Sequence, residues 1–255
     1  DPVYFLKKYA VIQHPLRGKV PFELYPFQEA SLKDFKEHNY NVILKARQLG
    51  ISTLTAGYAL WMMTFQSDKN ILVIATKQDT AKNLVTKIRV MHANLPSWVR
   101  SNCVEDNKLS LRYNNGSQVK AISSTEDAGR SEALSLLVID EAAFIDKIDT
   151  IWTAAQSTLS TGGQCIALST PNGVGNWFHK TYVDADNGEN DFYPVNLPWD
   201  VHPERDADWF NKETKNMSRR QIAQELECNF NTSGETVIHP DDVTWLTQRI
   251  KDPVY

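Results

Sequence analysis

The chain has 255 residues, 42% of them hydrophobic, and a formal net charge of −4. This length can bury one full α/β core with a small appendage, and the composition excludes an intrinsically disordered protein. The longest apolar helix is too short to cross a bilayer. The widely spaced cysteines lack the spacing of a zinc site and indicate a reducing compartment.

The start of the chain reads as an irregular segment followed by alternating helices and strands. Pro15 and Pro21 predict the irregular segment, and a helix is predicted over residues 27–37. Residues 40–45 form an apolar run typical of a buried strand, and residues 52–65 form an apolar helix. Ligands of α/β sheets bind beyond the carboxyl ends of such strands, so the turn between this strand and helix is a candidate site.

That turn, KARQLGIST, resembles a phosphate-binding loop whose lysine has moved. In the usual pattern, G-x-x-x-x-G-K-[ST], a lysine stands where this chain has Ile51, and a glycine stands where it has Lys45. The first turn of the following helix offers free N–H groups and the positive end of a helix dipole to a phosphate. Gly50 lets the backbone approach the anion. By register, Ser52 is the Mg²⁺ ligand and Thr53 a second phosphate contact.

The next elements continue an α/β pattern. Residues 71–76 predict a strand and residues 80–94 a helix. Residues 109–113 and 117–122 flank the turn sequence Asn114-Asn115-Gly116, which predicts a β-hairpin.

Two adjacent carboxylates follow the next buried strand. The apolar residues 134–139 run directly into Asp140 and Glu141. In enzymes that transfer phosphoryl groups, the first acid holds Mg²⁺ and the second orients and deprotonates the attacking water. The alternative is that the two acids only cap the following helix. Their presence together with a phosphate loop favours the catalytic interpretation.

A third strand end also carries polar side chains. Residues 164–169 form an apolar run that ends in Ser169 and Thr170. At the carboxyl edge of a parallel sheet, this pair can read a γ-phosphate and transmit its presence. Farther on, residues 206–217 and 218–229 predict two helices, the second opened by a capping box.

The order of ARQLGIST, VIDEAAF and STPNG, followed by RRQIAQELECNFNTSGETVI, resembles the ATPase domain of the large terminase subunit of tailed bacteriophages. The resemblance covers residues 25–238. It implies an α/β P-loop NTPase fold of the RecA-like, additional-strand type, with a mostly parallel sheet between helices and a small C-terminal helical lid. The expected divisions are an ATPase core with an N-terminal extension (1–188), a lid and linker (189–238) and a tail toward a nuclease domain (239–255).

The resemblance also implies roles for individual residues. Lys45 would replace the absent lysine, and Gln48 would join the nucleotide-binding loop. Arg47 would act in cis as an arginine finger or γ-phosphate sensor, and the Ser-Thr pair would form the coupling motif. Gln28 would lie beside the adenine, and Arg130 would act in trans on a neighbouring subunit. The alternatives are a surface glutamine and an ordinary loop arginine, respectively.

The function implied is hydrolysis of ATP with Mg²⁺ to move double-stranded viral DNA into a procapsid. The implied partners are the small terminase subunit, the portal protein and further copies of the chain in a ring, in the host cell cytoplasm and without a membrane. No further run of strand-borne acids follows Ile238, so nuclease activity is not expected. Two alternatives are a helicase-like nucleic-acid translocase and, because of Ile51, a nucleotide-binding assembly module that does not hydrolyse.

A net charge of −4 is unusual for a protein that binds DNA, because phosphate contacts need local lysines and arginines. At helical spacing such residues can equally form a solvated helix face. The candidate basic clusters are Lys77, Lys82, Lys87 and Arg89 on one helix and the pair Arg219 and Arg220.

Overall fold

The computed structural model describes residues 1–14, 16–124, 133–234 and 249. The strands are β1 (Val11–His14), β2 (Gly18–Pro21), β3 (Tyr40–Lys45), β4 (Asn70–Ala75), β5 (Cys103–Asp106), β6 (Ser110–Tyr113), β7 (Gln118–Ser123), β8 (Leu136–Asp140), β9 (Gln164–Ser169) and β10 (Phe192–Leu197). The helices are α1 (Pro2–Tyr9), α2 (Pro26–Glu37), α3 (Ile51–Phe65), α4 (Gln78–Ala93), α5 (Ile148–Leu159), α6 (Trp177–Asp186), α7 (Ala207–Thr214), α8 (Arg219–Glu225) and α9 (Phe230–Ser233).

The central sheet has eight strands in the order β10-β3-β9-β8-β4-β7-β6-β5. The strands from β10 to β7 are parallel, whereas β5 and β6 extend the sheet in antiparallel fashion. This arrangement confirms the predicted mostly parallel sheet, and β6 and β7 confirm the predicted hairpin. The antiparallel strand β5, whose residues are all exposed, was not predicted, because it has no apolar face.

Helices cover both faces of the sheet. The β3–β4 and β8–β9 connections run in opposite directions along the sheet, so right-handed crossovers place α3 and α5 on opposite faces. α3 packs with α4, whereas α6 packs on β3 and β10. Fully buried residues of three neighbouring strands line the core between the layers: Val42, Ile43, Val138, Ile139 and Ala167. None of the helices in the described ranges combines the length and apolarity that a bilayer crossing requires.

The prediction of an irregular N-terminal segment is wrong. Residues 2–9 form α1, and β1 and β2 form a separate hairpin. The helix begins where Asp1 accepts a hydrogen bond from the Tyr4 N–H at 2.8 Å and Pro2 occupies the first turn. Aspartate before proline is a strong helix start, since proline has no N–H to leave unsatisfied and its φ suits a helix.

The sheet also continues past Gly188, which was predicted to end the core. β10 pairs in parallel with β3 and forms the edge of the sheet. Pro194 lies inside this strand and cannot donate to a ladder, which suits an edge and obscures the strand in the sequence. The sheet therefore extends to Leu197, and the described elements after it are helices.

The order of the parallel strands brings the three predicted motifs together. β9 lies between β3 and β8, so the strand that carries the phosphate loop and the strand that carries the acids are separated by one inserted strand. In the register, Leu44 lies beside Ser169, and Asp140 lies beside Leu168. The carboxyl ends of all three strands therefore meet at one edge, as the additional-strand prediction requires.

Candidate active site

The loop between β3 and α3 has a backbone that depends on glycine. Gln48 and Gly50 adopt positive φ angles of 58° and 73°. A Cβ atom at Gly50 would lie 2.8 Å from Nε2 of Gln28, too close for any carbon. The left-handed conformation favours glycine at this position, and any larger residue would have to displace the amide of Gln28.

The first two N–H groups of the loop anchor it to neighbouring segments, whereas those of residues 48–53 have no acceptor among the described residues. The Ala46 N–H donates to the Leu197 carbonyl at 2.8 Å, and the Arg47 N–H donates to the Glu225 carbonyl at 2.8 Å. The N–H groups of residues 48–53 find no acceptor within the described part of the chain. A row of unpaired N–H groups leading into a helix N-terminus is the arrangement that binds phosphate.

Asp140, at the end of β8, faces this loop and is only 7% exposed. Burial raises the pKa of its carboxyl, while the charge of Lys45 and a hydrogen bond from Ser52 lower it. Lys45 and Ser52 therefore both lie near Asp140. The hydroxyl and carboxylate oxygens fit Mg²⁺, which prefers oxygen ligands and usually completes its shell with water and substrate phosphates. The described residues contain no cluster of three or more His, Cys, Asp or Glu.

Glu141 is held by a residue that the sequence analysis missed. Oε2 of Glu141 accepts a hydrogen bond of 2.6 Å from the hydroxyl of Thr76, which directly follows β4. The backbone of Glu141 has a φ of 57°, and its N–H donates to Oδ1 of Asp140 at 3.0 Å. Its side chain makes no capping hydrogen bond to the short 3₁₀ helix that follows, so the interpretation of these acids as a helix cap is wrong. The sequence signal that could have identified Thr76 is its position at the end of a predicted strand.

A cavity of about 510 Å³ opens beside Glu141. Lys45, Arg47 and Thr170 also line it, so the loop and two further strand ends share one space. Ser169 does not line it. The hydroxyl of Ser169 is buried and accepts a hydrogen bond of 3.2 Å from the Ala143 N–H.

The segment after Thr170 reaches the C-terminal helices. The Gly173 N–H donates to the hydroxyl of Ser233 in α9 at 2.9 Å. The backbones touch here, since a Cβ atom at Gly173 would lie 2.8 Å from Cα of Gly234. Ser233 in turn accepts a hydrogen bond of 3.1 Å from Nε of Arg220, on α8, to its carbonyl. The strand end that carries Thr170 is therefore linked through α9 to α8.

A second cavity, of about 650 Å³, lies on the other side of the loop. Gln28 forms its floor and is 3% exposed, so its interpretation as a surface glutamine is wrong. The amide donates to the Leu49 carbonyl at 2.9 Å and accepts from the Tyr25 N–H at 3.1 Å. Tyr25 lies 4.3 Å from the ring of His202, and both rings line the cavity. Neither ring was predicted, because His202 comes from a distant loop.

The sequence was compared with models of known protein families. The sequence model described as Terminase large subunit, T4likevirus-type, N-terminal, matches residues 42–244. The chain belongs to this family of terminase large subunits. The predicted family is thereby confirmed.

Known terminases resemble the chain in sequence and in fold. The probable terminase, large subunit gp28, of Escherichia phage Mu is 25% identical over 218 residues, which are 71% of this chain and 39% of that protein. The chain thus spans about two-fifths of the length of this relative. The Thermus Phage P74-26 large terminase ATPase domain matches with a TM-score of 0.64 at 21% identity, covering 82% of this chain and 94% of that one. A large terminase from a thermophilic bacteriophage, in complex with ADP, matches with a TM-score of 0.67 at 12% identity, covering 82% of this chain and 54% of that one. These likenesses confirm the predicted fold.

The arginine in the loop of this terminase faces a carboxylate of the C-terminal region. Nε of Arg47 lies 2.8 Å from Oε2 of Glu225 on α8, and the Arg47 side chain is 68% exposed. Arg47 therefore borders the cavity beside Glu141 while its charge is paired with Glu225. Arg130, the other arginine implied to act on phosphate, lies outside the described residues.

The basic cluster predicted on α4 does not form one surface in this terminase. Lys87 is half-buried and lines a cavity with Thr53 of the loop helix. Burial lowers the pKa of its ammonium group, whereas the charge of Asp140 raises it. Arg89 pairs with Asp106 at 2.7 Å. The prediction that these residues share one solvated or DNA-facing surface is therefore wrong for Lys87.

Proposed function

We propose that the chain is the ATP-hydrolysing motor domain of a terminase that packages double-stranded viral DNA. The observation that carries this proposal is the convergence of Lys45, Ser52, Asp140 and Glu141 on a loop whose N–H groups at 48–53 have no acceptor in the described part of the chain. Family membership supports the DNA-packaging role.

The two cavities suggest how the nucleotide would lie. The larger one is lined by Gln48, Gly50 and Thr53, together with Gln28 and the aromatic rings, which suits the base and ribose. The smaller one is lined by Lys45 and Glu141, which suits the γ-phosphate and the attacking water. The phosphates would cross the loop between them, on the N–H groups of 48–53. The ADP complex of the thermophilic bacteriophage terminase supports nucleotide binding in this fold.

Asp140 and Ser52 would hold Mg²⁺, which when bound neutralises negative charge that develops on the phosphates. Lys45 would supply a further positive charge at the front of the loop, since a lysine acts as a point charge on a flexible stem. Ile51, which replaces the usual lysine, is 1% exposed and packs in the core. Charge at the site therefore comes from Lys45 and not from position 51.

Glu141 would orient a water for in-line attack on the γ-phosphorus and accept its proton. Thr76 engages Oε2, which leaves Oε1 for the water. Arg47 can stabilise the charge on the transferring group once it separates from Glu225. Because Glu225 lies on α8, separation of this pair would report the nucleotide state to the C-terminal helices.

Coupling to movement would run through the segment from Thr170 to Gly173. This segment contacts α9 through Ser233, and α8 returns to the loop through Glu225. Residues after Leu197 would form the lid that responds to loss of the γ-phosphate. In the complete motor, several copies would form a ring on the portal protein in the host cytoplasm, with the small terminase subunit delivering DNA.

The proposal is tested by measuring ATP binding and phosphate release separately, because turnover can depend on assembly. Lys45→Ala should weaken binding at least about tenfold, as expected for loss of a charge-assisted contact. Glu141→Gln should bind ATP normally and lose about 10²- to 10⁴-fold in turnover. Glu189→Gln, in an exposed turn, is the control and should behave as wild type. If all variants bind ATP equally and none hydrolyses it, the enzyme proposal fails and a nucleotide-binding assembly module replaces it.

A further inference from the structure

A guanidinium group lies against the outer side of the phosphate loop. Nη1 of Arg205 donates to the Arg47 carbonyl at 3.2 Å, and Nη2 donates to the Gln48 carbonyl at 3.1 Å. These two carbonyls are consecutive, so one planar side chain forms hydrogen bonds with two adjacent peptide units. Arg205 lies 158 residues from Arg47 in the sequence, in the chain between β10 and α7.

We propose that Arg205 is a positioning residue that holds the loop in its phosphate-binding conformation. The proposal rests on the proposed function and concerns ATP affinity. The argument follows from peptide geometry. In a planar trans peptide the C=O and N–H bonds point in opposite directions. The carbonyl of Arg47 shares its peptide with the Gln48 N–H, and the carbonyl of Gln48 shares its peptide with the Leu49 N–H. Drawing both carbonyls outward therefore aims both N–H groups inward.

Gln28 orients the next peptide of the loop in the same way. Its amide draws the Leu49 carbonyl outward at 2.9 Å, which aims the Gly50 N–H inward. Three consecutive N–H groups are thus oriented by two side chains before any phosphate arrives. Preorganised donors bind an anion better, because less conformational entropy is lost when it binds.

Arg205 is itself held in place. Its guanidinium lies 4.5 Å above the Trp209 ring, and Trp209 stacks on Trp199 at 5.9 Å. Asp206 caps α7 by accepting from the Trp209 N–H at 2.8 Å, which fixes the turn between the two residues. Stacking on an aromatic face suits a planar guanidinium.

The fork geometry distinguishes arginine from lysine at this position. A lysine ammonium is a compact point charge, whereas the guanidinium presents parallel donors to two acceptors. Arg205→Lys should therefore keep the positive charge but lose the ability to donate hydrogen bonds to both carbonyls at once. The lid supplies this residue, so a shift of the segment around Arg205 would also loosen the loop.

The experiment compares KM for ATP, kcat and the ATP-induced rise in Tm for wild type, Arg205→Ala, Arg205→Lys and Arg100→Ala. Arg100 is an exposed arginine whose Nη1 donates to the Ala93 carbonyl at 3.2 Å, which makes it a matched control. Arg205→Ala should raise KM about tenfold or more with kcat changed less than about threefold, because phosphate contacts are lost equally from ground and transition states. Arg205→Lys should give a KM between those of wild type and Arg205→Ala, and Arg100→Ala should match wild type.

A merely structural role makes a different prediction. It would lower the Tm of the nucleotide-free protein while leaving KM and the ATP-induced rise in Tm unchanged, and that result overturns the proposal. If Arg205→Ala does not fold, the Arg205→Lys data decide by the same criteria. Wild-type chain that neither binds nor hydrolyses ATP would refute the proposed function itself, whereas normal wild-type binding with unchanged variants refutes only the role of Arg205.

Discussion

Replacing Gly50 with alanine should damage the loop through two separable effects. The φ of +73° disfavours any residue with a Cβ, at about 1–2 kcal/mol. The new Cβ would also lie 2.8 Å from Nε2 of Gln28, and relieving such overpacking costs about a further 1–3 kcal/mol. We therefore expect Gly50→Ala to lower the free energy of unfolding by about 2–5 kcal/mol and to raise KM for ATP.

Gly188 provides a matched control for the loss of stability that comes from the left-handed backbone alone. It has the same φ of +73°, and a Cβ atom there would meet nothing within 4 Å. Gly188→Ala should therefore lower the free energy of unfolding only by the backbone cost, about 1–2 kcal/mol, and leave KM for ATP unchanged. The difference between the two glycine variants measures the contact with Gln28.

Urea unfolding followed by circular dichroism gives both free energies, and a double mutant isolates the contact. In a Gln28→Ala background the crowding at residue 50 is absent, so Gly50→Ala should cost no more than Gly188→Ala does. Equal losses for the two glycine variants in the wild-type background would refute the reasoning. So would a cost at Gly50 that is undiminished by Gln28→Ala.

Three further outcomes are expected. Thr76→Val should lower kcat about tenfold and leave KM unchanged, because the Glu141 carboxylate loses the hydrogen bond that fixes its orientation. Thr76→Ser should restore activity, and a normal kcat for the valine variant would contradict this. Arg47→Ala should reduce turnover by about 10³-fold or more in a phosphate-release assay, because the variant loses the guanidinium that would stabilise charge on the transferring group, and turnover equal to wild type would contradict this. Burial lowers the pKa of His92 from its usual 6.5, so its contribution to stability should be full above pH 6.5 and decline as the pH falls through the lowered pKa. His92→Gln should flatten that decline in urea-unfolding curves measured across this range, and an unchanged pH profile would contradict it.

The strands of the core were predictable because each is a local signal. Residues 42–44 and 165–168 are continuous apolar stretches, as is typical of strands buried on both faces, and the structure places β3 and β9 there. The acids after β8 and the hydroxyls after β9 followed from their positions at strand ends. In contrast, β10 was missed because Pro194 interrupts its pattern, and α1 was missed because its Asp1-Pro2 cap was not read as a helix start.

The sequence by itself determined which chemical groups the site contains, since the loop, the acids and the Ser-Thr pair are each contiguous in the chain. The tertiary structure alone decided how these groups are held. It paired Arg47 with Glu225, Thr76 with Glu141, and Arg205 with the loop carbonyls. Each partner comes from a different element, and no local periodicity records a contact between residues so far apart. Only the packing of β4, α8 and the segment before α7 around the carboxyl edge of the sheet brings them together.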